Sequence, residues 1–211
     1  MNTHAAGKFN RDSFFVNQKH MTLGKSKYRV FDEDGQALFF AERPVMRLFG
    51  KRANVTIYGD EHSKEPLLTL HQEESWELFN RNYTLIEGGN GATIARLCRN
   101  NFRSLFRRSW QIYDPGGRLI ALARENSTFL TIIRRVVDFI PYVNILGLLI
   151  KTDFELFLVD AANNLAQVGR FNRRIGIGDK YVMRFDNDHG RRFDRRIAVG
   201  LGLLLDTAEA R

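Results

Sequence analysis

The chain has 211 residues, of which 44% are hydrophobic and 27% charged, a balance that excludes global disorder and suits one domain with a sizeable core. Lys and Arg number 32 against 24 Asp and Glu, a formal net charge of +8, which favours polyanionic partners such as nucleic acid or an anionic membrane surface. The single cysteine, Cys98, excludes an internal disulfide and any cysteine-cluster zinc site.

The first residues, MNTHAAGKFNRDSFF, contain no apolar run of signal-peptide length, so the expectation is a cytoplasmic protein, able to sit at a membrane periphery. Residues 1–13 read as a loose N-terminal tail and residues 14–211 as one domain. From there the chain repeats one device. Tyr28–Phe31 runs through Asp32–Gly35 into Ala37–Ala41, and Val55–Tyr58 through Gly59–Pro66 into Leu67–Leu70. Tyr83–Ile86 runs through Glu87–Gly91 into Thr93–Cys98, and Trp110–Tyr113 through Asp114–Gly117 into Leu119–Ala123. Phe154–Val159 follows the same course through Asp160–Asn164 into Leu165–Gly169, and Tyr181–Phe185 leads into Asp186–Gly190.

Each run is rich in β-branched and aromatic residues, and each turn supplies the Gly, Asp or Asn that hairpins need. The residues entering the turns, Phe31, Tyr58, Ile86, Tyr113, Val159 and Phe185, are spaced by 27, 28, 27, 46 and 26. A near-constant period with one insertion marks a repeated supersecondary unit. Five hairpins and a sixth partial one predict roughly twelve strands, too many for an open twisted sheet and natural for a closed barrel without edges.

The insertion lies within Thr128–Lys151 and holds Val136-Val137 and the apolar run Phe139–Ile150, broken by Pro141. It reads either as a buried strand pair or, flanked by Arg134, Arg135 and Lys151, as a segment lying in a membrane interface. At the end of the chain Ile197–Leu205 is apolar on every side, with Asp194 placed to cap it. Such a helix must be buried all round and is too short to span a bilayer. A barrel of about twelve strands is too wide for its own side chains to fill. The helix is expected to plug it.

The motif Tyr28-Arg-Val-Phe-Asp-Glu-Asp-Gly35, the later Trp110-Gln-Ile-Tyr-Asp-Pro-Gly-Gly117 and the apolar terminal helix ending in Leu204-Leu205-Asp206 resemble the LURP-one-related proteins. Those are grouped with tubby C-terminal domains and phospholipid scramblases. The resemblance extends from about Phe15 to Asp206 and implies a twelve-stranded antiparallel barrel around a hydrophobic C-terminal helix. It also implies phosphoinositide binding or membrane association, as in tubby-like domains and scramblases. A scramblase-like calcium segment would fall at Asp186–Gly190. Ile197 stands where a twelve-residue loop starting at Asp186 would need its bidentate Glu, which favours a plain turn.

Chemistry-bearing motifs are few. The histidines His4, His20, His62, His71 and His189 form no metal-ligand spacing. Glu87–Gly91 lacks the Lys-Ser/Thr of a phosphate loop and leads into a strand pattern. Cys98, beside Leu97, reads as a small core residue rather than a nucleophile. The expectation is a non-enzymatic protein with no catalytic residues, no metal and no cofactor.

The connectors between hairpins are basic instead: Lys51 and Arg52, Arg81, Arg107 and Arg108, Arg134 and Arg135, Arg173 and Arg174. Up-and-down hairpins would gather these at one barrel end and the acidic tight turns at the other. Guanidinium groups ringed in this way can clasp phosphates, so anionic phospholipid is the expected partner, with these nine residues as candidate ligands. Solvated rim charges are the bland alternative. Nucleic-acid binding, as in a transcription regulator, is a second reading, although no groove-reading motif appears. Scramblase-like lipid transport is a third.

Overall fold

The computed structural model describes residues 3–22, 25–44, 54–73, 81–100, 109–126, 153–174 and 180–209. The hairpin-forming runs are strands: β2 (Lys25–Phe31) with β3 (Ala37–Pro44), β4 (Val55–Tyr58) with β5 (Pro66–Gln72), and β6 (Arg81–Glu87) with β7 (Thr93–Asn100). β8 (Ser109–Tyr113) with β9 (Leu119–Glu125) and β10 (Asp153–Val159) with β11 (Leu165–Arg174) complete the five hairpins.

Three of the turns share one hydrogen-bond pattern. The N–H of Gly35 donates to the carbonyl of Asp32, Gly117 to Asp114 and Asn163 to Asp160, while each Asp carboxylate also accepts the N–H four residues on. Gly35, Gly117 and Asn163 have φ of 78°, 83° and 62°, the left-handed conformation that Gly and Asn tolerate best. Every hairpin carries a register shift, at Val30/Phe31, Ile57/Tyr58, Leu85/Ile86, Ile112/Tyr113 and Leu156/Phe157. Bulges of this kind bend a strand and increase twist, which closure requires.

Closure differs from a simple run of six hairpins. The sixth run, β12 (Lys180–Arg184), forms no hairpin of its own. It pairs with β11 on one side and on the other with β1 (Ser13–Thr22) from the start of the chain. The result is a closed, fully antiparallel twelve-stranded barrel in the order β1-β12-β11-β10-β9-β8-β7-β6-β5-β4-β3-β2.

Strand direction then fixes both mouths. The turns of these five hairpins lie at one end, called here the turn end; the connections between the hairpins, and the short link from β1 to β2, lie at the other, the connector end. β12 delivers the chain to the turn end. There Asp186–Asp194 crosses the mouth, and α2 (Arg195–Glu209) runs back through the barrel. The Arg196 N–H donates to Asp194 Oδ1 at 2.8 Å, so Asp194 is the N-cap.

Ile197–Leu205 is buried throughout. α2 approaches β12 and β1 on one side and β7 across the barrel, and Gly200 faces Leu70 and Leu85. Alternate residues of every strand point inward to meet it, among them Phe14, Val30, Ile57, Leu85, Trp110 and Leu156. The interior is therefore a packed core.

Residues assigned from sequence to a loose tail are built into the fold. Thr3–Lys8 is a short helix, α1, and Phe9 is buried against Phe39 with ring centroids 4.3 Å apart. Lys8 Nζ donates to the carbonyls of Leu38 and Gly59 at 3.2 and 2.7 Å. One apolar ring entering the mouth and one ammonium satisfying two carbonyls suffice to hold this segment.

Candidate anion-binding surface

Because α2 fills the interior, a ligand must bind the outside. The outer wall is strongly charged. Lys25 Nζ lies 2.9 Å from Glu42, Lys27 bridges Glu42 and Glu61, Arg29 pairs with Glu61, and Arg96 pairs with Glu73. This reverses the distribution in a membrane-spanning barrel, whose outer band is apolar. Among the described residues no helix is long and apolar enough to cross a membrane.

The turn end carries the acidic turns, with Asp32, Glu33, Asp34, Asp60, Asp114, Asp160 and Asp186. Arginines stand there too, but each of four is held by a local carboxylate: Arg118 by Asp114, Arg191 by Asp12, Arg195 by Asp188 and Arg196 by Asp194. Asp188, in the segment where a scramblase-like calcium loop would fall, is bound from several directions. Its carboxylate accepts from Arg195 and from the N–H groups of Arg192 and Phe193. Burial alone would raise its pKa. The guanidinium and the two N–H donors outweigh that and hold the carboxyl below the usual aspartate range. Arg195 also lies 4.1 Å from the centroid of the Phe185 ring and donates to the carbonyls of Arg11 and Phe193. This cluster ties the helix start to both chain segments that cross the mouth. No group of His, Cys, Asp and Glu suited to a metal ion occurs among the described residues.

Of the nine basic candidates, Lys51, Arg52, Arg107, Arg108, Arg134 and Arg135 lie outside the described residues, as does the apolar segment within Thr128–Lys151. The backbone positions of the other three are described. Arg81 opens β6 and Arg173-Arg174 closes β11, all at the connector end. Arg174 is in register with Lys180, and Arg81 with Arg99.

Cys98 is not in the core. Ala95 and Leu97 point inward, so Cys98 lies on the outer face of β7, half-buried and in register with Asn82 and Gln111. Burial, helped by the nearby Glu73 charge, raises its pKa, which suppresses the thiolate a nucleophile needs.

An open cavity of about 320 Å³ lies between β1, β2 and β12, lined by Phe15, Phe31, Val182, Asp32 and Glu33 among others. Its two carboxylates make it a poor seat for an anion. A different feature, absent from the sequence candidates, is basic. Arg170 of β11 and Arg184 of β12 are directly in register, and both are exposed. No local sequence signal marks them as a pair, because the β11–β12 register depends on the connection across residues 175–179.

No family model, curated protein or solved structure matches the chain.

Proposed function

We propose that the protein is a non-enzymatic barrel that binds anionic membrane lipid, phosphoinositide-like in charge, through its basic connector end. The observation that carries this reading is the separation of charge along the barrel axis. Arg81, Arg173 and Arg174 stand at the strand ends opposite the acidic turns, where Arg118, Arg191, Arg195 and Arg196 are each paired with a local carboxylate. The connectors that add Lys51, Arg52, Arg107, Arg108, Arg134 and Arg135 all leave from that same end. A plugged interior supports surface binding over carriage of a ligand inside. The resemblance to LURP-one-related and tubby-like proteins points the same way, since a closed barrel around an apolar C-terminal helix is the architecture it implies.

Co-sedimentation with phosphoinositide-containing vesicles tests the reading. Binding should fall as salt rises and should be lost when Arg107, Arg108, Arg134 and Arg135 are replaced together by Ala. Binding unchanged by those substitutions would overturn it. Affinity for DNA that falls steeply with salt, with indifference to vesicles, would establish nucleic-acid binding in its place.

A further inference from the structure

We infer that Arg170 and Arg184 form a second anion site, on the outer wall, that takes a phosphate monoester or a similar tetrahedral dianion. The two residues face each other across adjacent antiparallel strands, which puts their Cβ atoms about 5 Å apart. Like charges directly opposed in a sheet destabilise it. On β2, by contrast, Lys25, Lys27 and Arg29 share Glu42 and Glu61. Neither guanidinium group has a hydrogen bond or ion pair among the described residues.

The flanking residues do not relieve the pair. Glu155 is in register with Arg170 but lies between it and Arg124 on β9, and its Oε1 accepts from Asn126 Nδ2 at 3.3 Å. Ser13, in register with Arg184 on the other side, donates its hydroxyl to Glu33 at 2.6 Å. The row Arg184, Arg170, Glu155, Arg124 therefore keeps a surplus of two positive charges. Two guanidinium groups side by side offer parallel N–H donors to the oxygens of one tetrahedral anion, and a dianion matches that surplus.

The site is independent of the connector-end reading. Arg184 is the last residue of β12, at the turn end, so the two can fail separately. The test uses the full chain with inorganic phosphate as probe, against sodium chloride of equal ionic strength. Wild type should show a saturable rise in Tm with phosphate. The Arg170→Gln/Arg184→Gln variant should fold, since both residues are exposed, and should lose that rise. Each guanidinium removed should weaken phosphate binding about tenfold or more. A second arm compares phosphatidylcholine vesicles with and without phosphatidic acid. If the double variant also loses binding to the phosphatidic acid vesicles, the phosphate comes from a lipid headgroup; if only the inorganic phosphate effect disappears, the ligand is soluble. No phosphate-specific rise in the wild type, or a rise retained by the double variant, would overturn the proposal.

Discussion

Arg195 Nη1 donates to Asp188 Oδ2 at 2.7 Å, and the two side chains are 5% and 0% exposed. Breaking a buried pair leaves an uncompensated charge, at a cost of about 3–5 kcal/mol. Asp188→Ala and Arg195→Ala should each lower stability by about that amount. The double substitution should cost less than their sum, because the two residues act through one interaction. Urea unfolding of the three variants checks this.

The same pair sets a pH dependence. The Asp188 carboxyl is held below the usual aspartate range in the folded protein. Its contribution to stability is therefore fully present above about pH 4, where an ordinary aspartate is ionised, and declines as the unfolded state takes up its proton below that. It is lost as pH falls through the lower folded value. Asp188→Asn should be less stable than wild type at pH 7, and the difference should shrink in strong acid. A difference that stays constant down to acid unfolding would show that the charge does not contribute.

The apolar helix was legible because Ile197–Leu205 has no polar side, and a segment of that kind has one physical destination. Leu204 is 1% exposed, so Leu204→Asp would bury an unpaired charge and should abolish folding or cost several kcal/mol. A variant that melts like wild type would place the helix outside the barrel. The turns were legible for a local reason as well: Asp32, Asp114 and Asp160 each bond within the next four residues. Features set by distant pairing were not. β1 closes the barrel against β12 from the other end of the chain, and the 170/184 register is set only by β11–β12 pairing across residues 175–179. Cys98 was assigned to the wrong face because alternation gives two faces and leaves the phase to neighbours.

Two glycines should respond differently. A Cβ on Gly169 would stand 2.8 Å from the Arg184 carbonyl oxygen and 2.8 Å from Phe185 Cδ1. Gly169→Ala must then push β12 or a buried ring aside, at about 1–3 kcal/mol. Gly117 has open space around it but φ of 83°, so Gly117→Ala should cost about 1–2 kcal/mol through the backbone alone. Gly117→Asn should recover part of that loss, since Asn tolerates this conformation, while Gly169→Asn should be worse than Gly169→Ala. Thermal melts of the four variants separate strain from crowding.

The polarity of the barrel makes the most direct functional prediction. α2 starts at the turn end and runs back through the barrel, so its positive N-terminus meets the acidic turns and its negative C-terminus points away from them. Arg173 and Arg174 close β11 at the basic connector end, whereas Arg118 sits at the opposite end beside Asp114. Each basic residue near an anionic membrane contributes about 1 kcal/mol, so Arg173→Ala/Arg174→Ala should weaken vesicle binding about thirtyfold at low salt. Arg118→Ala, removing a charge already paired with its neighbour, should change it little. Raising salt should narrow the gap between wild type and the double variant, because screening acts on the interaction that was removed. Equal losses from both ends would mean that net charge alone drives adsorption, and the connector end would lose its claim to be the binding face.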